Sequence, residues 1–157
     1  SSTSRGLGDV YKRQVLKVEP IAKPLFESVR GEENVRGALA NVYMNPSRVD
    51  DGLVNSICGA ANREGAFKAF VNILTGPAGP RPEELMPRVA CPMLILWGSK
   101  DTITPLDFPL GQYFLNLPKT RQTSRTDFIQ FEGEGHCVQD DNPKLVNDAL
   151  TDWVAAL

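Results

Sequence analysis

In Met93-Leu94-Ile95-Leu96-Trp97-Gly98-Ser99-Lys100-Asp101 the residues Met93 to Trp97 are an unbroken apolar run, closed by Gly98 and followed three positions later by an acid, Asp101. Pro92 bounds it on the other side, which makes it short for a helix and right for a strand. A strand that is apolar on both faces belongs in a parallel sheet covered by helices on both sides. Downstream, Leu106, Leu110, Tyr113, Phe114 and Leu117 recur at helical spacing, and Lys119 to Thr126 reads as polar loop. Asp127-Phe128-Ile129-Gln130-Phe131 reads as a second strand ended by Gly133. A closing helix follows, with Asp141 or Asn142 as N-cap and Pro143 at its first position. Its expected buried face is Val146, Ala149, Leu150, Trp153, Val154 and Leu157. Strand, helix and strand joined this way form a right-handed parallel crossover. The expected fold class is α/β.

Working backward, Gly76-Pro77-Ala78-Gly79-Pro80-Arg81-Pro82 is a hinge, because its prolines remove donors and fix φ. Before it the pattern is helical. Val15 to Val29 contains two prolines and predicts short, broken helices; Asn45-Pro46-Ser47 predicts a turn. Asp50-Asp51 opens a helix with Leu53, Val54 and Ile57 on its apolar stripe. A second helix is expected from about Arg63 to Leu74, with Phe67, Phe70, Val71 and Leu74 on one face. The expected division is therefore a helical block over residues 15–75 and an α/β part over 76–157. Residues 1–14 (SSTSRGLGDVYKRQ) have neither helical nor strand periodicity and no signal-peptide core, and are set apart as adaptor-derived or disordered tail.

Composition narrows the function classes. Hydrophobic residues make up 41% and charged residues 23% of the 157, which suits a folded globular chain and not a disordered one. A net charge of -2 without a long basic block argues against nucleic acid as partner. The longest apolar run is Met93 to Trp97, far short of the ~20 residues of a spanning helix, so no stable membrane span is expected. Cys58, Cys91 and Cys137 lack C-x-x-C spacing and read as reduced thiols. His136 is the sole histidine, so no multi-histidine metal site fits, and no cofactor is expected.

The chemistry gathers at the carboxyl ends of the two strands, where open α/β sheets place functional groups. Asp101 follows the first strand and His136 follows the second within Gly133-Glu134-Gly135-His136, 35 positions on. Adjacent parallel strands would bring both to one edge. Glu132 and Glu134 read as solvated loop charges, and Asp140-Asp141 as capping acids of a helix N-terminus. Cys137 neighbours His136 and reads as a packing cysteine, since adjacent residues of an extended segment point apart.

Strand-Trp97-Gly98-Ser99-Lys100-Asp101, then strand-Glu134-Gly135-His136, resembles the last two triad positions of the α/β-hydrolase fold. In that family the chain order is nucleophile, acid, histidine. The helical block resembles the cap, or lid, that such enzymes carry ahead of the penultimate strand. Val42-Tyr43-Met44-Asn45-Pro46-Ser47-Arg48-Val49-Asp50, the hinge and Gly135-His136-Cys137 are similar to the pheophytinase-like hydrolases of plants, algae and cyanobacteria. The resemblance covers Val15 to Leu157 and implies the C-terminal part of an α/β-hydrolase fold, a helical cap followed by β-α-β-α.

It also implies roles. Asp101 would orient His136, and His136 would act as general base. A small ester of an apolar alcohol or acid is the implied substrate, with Phe67, Phe70 and Leu74 as its candidate contacts. No G-x-S-x-G occurs in these residues, so the nucleophile and the N-terminal half of the fold are expected in upstream sequence, and the 157 residues alone are expected to be inactive. A serine nucleophile means an esterase or lipase; an aspartate means an epoxide hydrolase or haloalkane dehalogenase. A member of the fold that binds a ligand without catalysis stays open as well. The resemblance suggests chloroplast or cytoplasm, and the residues themselves leave the compartment undecided.

Overall fold

The computed structural model describes residues 18–157, and the tail assigned to 1–14 lies outside the described residues. These residues divide into two compact units, 18–37 with 50–79, and 38–49 with 80–157.

The first unit is helical. Its elements are α1 (Glu19–Val29), α2 (Glu32–Leu39, whose last turn enters the second unit), α3 (Asp51–Ala61) and α4 (Ala66–Thr75). α1 corrects the expectation of broken helices. Pro20 falls in the first turn, where its missing N–H is an orphan anyway, and Pro24 forfeits only one internal hydrogen bond. Packing outweighs that loss: Ala22 and Phe26 are buried, and the Phe26 ring meets Phe67 at 5.6 Å and Phe70 at 5.3 Å between centroids. α3 begins where Asp50 accepts a hydrogen bond from Leu53 N at 2.8 Å. α4 starts three residues later than its apolar spacing suggested, because Gly65 at φ +83° turns the chain just before it. Among the described residues of this unit there is no strand.

The second unit contains a two-stranded parallel sheet, β1 (Met93–Gly98) and β2 (Thr126–Phe131), with the helix α6 (Pro109–Thr120) on the crossover. A short helix, α5 (Pro82–Leu85), precedes β1; α7 (Val138–Asp141) and α8 (Pro143–Ala155) follow β2. Mixed helix and parallel strand is an α/β arrangement. The register pairs Met93 with Thr126 and Gly98 with Phe131, so both strands end at one edge. The core lies where β2 meets the last helices: Phe131, Val138 and Val146 are buried, with Leu96, Ile129, Leu145 and Ala149 packed around them. On the crossover side the Trp97 ring packs with Phe114 and Phe128, with centroids at 5.9 and 6.2 Å. At the opposite end of the sheet the buried Arg121 ties the strand entrances together, donating to the carbonyls of Val89, Cys91, Ser124 and Arg125 and to the Thr126 hydroxyl.

α8 has the N-cap expected of Asn142, whose side chain accepts from Leu145 N. Its buried face is narrower than the stripe predicts: Leu150, Val154 and Leu157 are exposed. Periodicity finds the apolar face of a helix, but what covers that face is decided by neighbours distant in sequence. Among the described residues no helix is long and apolar enough to cross a membrane.

Candidate active site

The parallel register explains why Asp101 and His136 meet. Asp101 lies just past the end of β1 and His136 just past the end of β2, on adjacent strands finishing at the same level. The turns are laced together. Ser99 N donates to Phe131 O and Lys100 N to Glu134 O, both at 2.9 Å, while Gly133 N donates to Ser99 Oγ at 2.9 Å. Such close approach needs Gly98, where a Cβ would overlap the carbonyl oxygens of Glu134 and Gly135. Gly133 makes the return bend at φ +82°, a conformation that side chains with a Cβ rarely adopt.

Asp101 Oδ2 lies 3.0 Å from His136 Nδ1. The acid is buried, its side chain 6% exposed, and the imidazole is 38% exposed. Asp101 has a full set of donors: Ile103 N and Thr104 N on Oδ1 at 2.9 Å each, and Thr104 Oγ1 on Oδ2 at 2.6 Å. Burial alone would raise this carboxyl. The bonds from the Thr104 hydroxyl, Thr104 N–H, His136 and Ile103 N–H outweigh burial and hold it below the ordinary aspartate range. Asp101 is therefore ionised at neutral pH, and its bonds leave His136 Nε2 as the ring nitrogen not turned to the acid.

The sign of this shift gives a test. A depressed carboxyl stabilises the fold above pH ~4, the ordinary aspartate value, and loses that contribution as pH falls through the lower folded value. The melting-temperature gap between the wild type and Asp101→Asn should hold from pH ~7 to ~5 and close at more acid pH. A gap that does not change with acidification would refute the hydrogen-bonded anion.

Leu96, Trp97, Gly98, Asp101, Thr104 and His136 line an open cavity of about 250 Å³. Leu96, Trp97 and Gly98 give it apolar lining, and its polar side chains are the pair and Thr104. Trp97 Nε1 donates to Thr104 O at 3.1 Å, which anchors the threonine. Thr104 is a site residue that the motif reading above does not include; its spacing of three from Asp101, the distance at which a carboxylate caps a turn, is the sequence signal for it.

Other candidates fall elsewhere. Phe67 and Phe70 make the contacts of a small helical core with Phe26, and Leu74 is 41% exposed. Burial pushes the Cys137 thiol up, and the hydrogen bond with Tyr43 offsets this only in part, the reverse of what a thiolate nucleophile needs. Asp140 and Asp141 do not cap α8. Asp140 accepts from the Tyr43 hydroxyl at 2.5 Å, and Asp141 from Met44 N and Asn45 N at 2.6 and 3.0 Å. Their partners lie some 97 positions away in the chain, beyond any local pattern. Glu134 is likewise not merely solvated, since Asn142 Nδ2 donates to it at 2.9 Å. Among the described residues no group of three or more His, Cys, Asp or Glu side chains could hold a metal ion.

No family model matches the chain. Over 123 residues it is 24% identical to the uncharacterized hydrolase YugF of Bacillus subtilis (strain 168). That match covers 78% of this chain and 42% of the other protein, so the chain spans less than half the length of the protein it resembles.

Proposed function

We propose that the chain is part of a hydrolase of the α/β-hydrolase fold, and that Asp101 and His136 are its acid and base. The single observation that carries the reading is the 3.0 Å contact between a buried, hydrogen-bonded carboxylate and a half-exposed imidazole, at the carboxyl edge of parallel strands. Likeness to a protein named as a hydrolase supports the same class.

In this reading Asp101 accepts Nδ1–H, which fixes the tautomer and stabilises the imidazolium once it forms. Nε2 takes a proton from the nucleophile, or from water in the second half-reaction, and returns it to the leaving group. The nucleophile and oxyanion donors come from a segment outside these 157 residues. The helical unit corresponds, in this reading, to the cap segment of such enzymes. An uncharged ester of an apolar acid or alcohol suits a cavity that sets Leu96, Trp97 and Gly98 beside the polar pair and Thr104.

The test is a substrate panel on the longer gene product: p-nitrophenyl esters of increasing chain length, an epoxide and a haloalkane. Ester turnover with a covalent acyl intermediate supports the proposal. Turnover of the epoxide or haloalkane alone would put an aspartate nucleophile in its place. A product that binds esters without turnover would make the chain a non-catalytic member of the fold.

A further inference from the structure

Residues 41–45 form a strap that touches both turns of the candidate site. The Asn41 carbonyl accepts from Thr102 Oγ1 at 3.1 Å, one residue past Asp101. The Val42 carbonyl accepts from the backbone N–H of His136 itself at 3.2 Å. The strap lies so close that a Cβ at Gly135 would come within 2.7 Å of Val42 O. It is therefore the third member of the assembly, spanning the acid turn and the histidine turn.

What holds the strap is a pair of acids the chemistry does not otherwise use. Asp141 is 4% exposed, and its carboxylate accepts from Met44 N and Asn45 N. Its backbone carbonyl accepts from Arg48 Nε at 3.2 Å. Asp140 accepts from the hydroxyl of Tyr43, which is itself buried. Asn142 already caps α8, so helix capping does not require Asp141. A buried carboxylate is costly unless charge-assisted hydrogen bonds compensate it, and here both compensating donors belong to the strap.

We infer that Asp141 is a positioning residue for His136, acting through the strap 41–45 that it holds against the histidine backbone. The inference rests on reading Asp101 and His136 as a catalytic pair. In such pairs a displacement of about 1 Å far from the chemistry is enough to cost ~10²-fold in rate. Losing Asp141 frees Met44 N and Asn45 N, slackens the strap, and lets the histidine turn drift from Asp101.

His136 is the sole histidine, so ring N–H spectroscopy of the histidine-labelled 157-residue protein has a single Nδ1 proton to follow. The expected result is a protected Nδ1 proton in the wild type. In Asp141→Ala its exchange with solvent is faster by about tenfold or more, while the β1 and β2 amides stay within about threefold of their wild-type protection. Asp141→Asn keeps one acceptor oxygen and falls between the two. Equal Nδ1 exchange in the wild type and Asp141→Ala overturns the inference, as does an unprotected Nδ1 proton in the wild type. Parallel loss of ring and sheet protection in both variants also overturns it, because Asp141 would then serve global stability alone. Turnover does not enter this readout. If the pair is not catalytic, the spectra stand while His136→Ala leaves the activity of the longer protein unchanged.

Discussion

His136→Ala is expected to abolish the ester hydrolysis proposed for the longer protein, with a loss in kcat on the order of 10⁶ and little change in KM by comparison. The size follows from the role: without the base the nucleophile is not deprotonated, and what remains is binding and oxyanion stabilisation. Asp101→Asn costs less, about 10⁴, because a base remains but in the wrong tautomer and without a counter-charge. The double variant should be little worse than His136→Ala alone, since the two act as one unit. Steady-state kinetics on purified variants, with melting curves to confirm folding, decide the matter. Loss of under tenfold in His136→Ala would end the proposal. The 157-residue chain itself should hydrolyse p-nitrophenyl esters no faster than its own His136→Ala variant.

The second large effect is structural. Gly98→Ala should lower stability by about 3 kcal/mol or more, a fall of roughly 6–12 °C in melting temperature for a chain of this size. The new methyl group would be aimed at the carbonyl oxygens of Glu134 and Gly135 and within 2.7 Å of Glu134 C. These are backbone atoms of the facing turn, fixed by the Lys100 N to Glu134 O bond, and cannot rotate away as a side chain could. The strand ends must separate, and the Asp101–His136 contact separates with them. A melting curve unchanged from the wild type would show that the two turns lie farther apart than described. Gly133→Ala is the comparison: nothing lies within 4 Å of its added carbon, so its cost reflects backbone strain alone.

How much of this was legible beforehand depends on the range of the interaction. β1 is readable because a strand apolar on both faces shows it in consecutive residues, and the register then places Asp101 and His136 together. The caps at Asp50 and Asn142 were readable for the same local reason, a side chain reaching an N–H three residues on. Pro24 misled because one missing hydrogen bond is a local loss outweighed by a distant gain, the packing of Phe26 on Phe67 and Phe70. Asp141 misled more seriously. An acid next to a helix start has an ordinary local explanation, and its actual partners, Met44 and Asn45, lie nearly a hundred residues upstream. The outer stripe of α8 shows the converse: Leu150, Val154 and Leu157 have the right spacing yet remain exposed.

Residues 38–49 leave the helical unit after Gly37 and rejoin it at Asp50. This bears on how such a chain can be shuffled by recombination. A cassette running from 18 to 79 would look like one exchangeable block of helices. Yet it would carry off the Val42 carbonyl and the Met44 and Asn45 N–H groups, and deliver foreign ones to the turn that holds His136. A graft that respects the molecule needs breakpoints on both sides of 38–49, so that the intervening stretch is inherited together with Asp140 and Asp141. Chimeras cut at the apparent boundary should fold their helices and lose the histidine, whereas chimeras cut around the strap keep it.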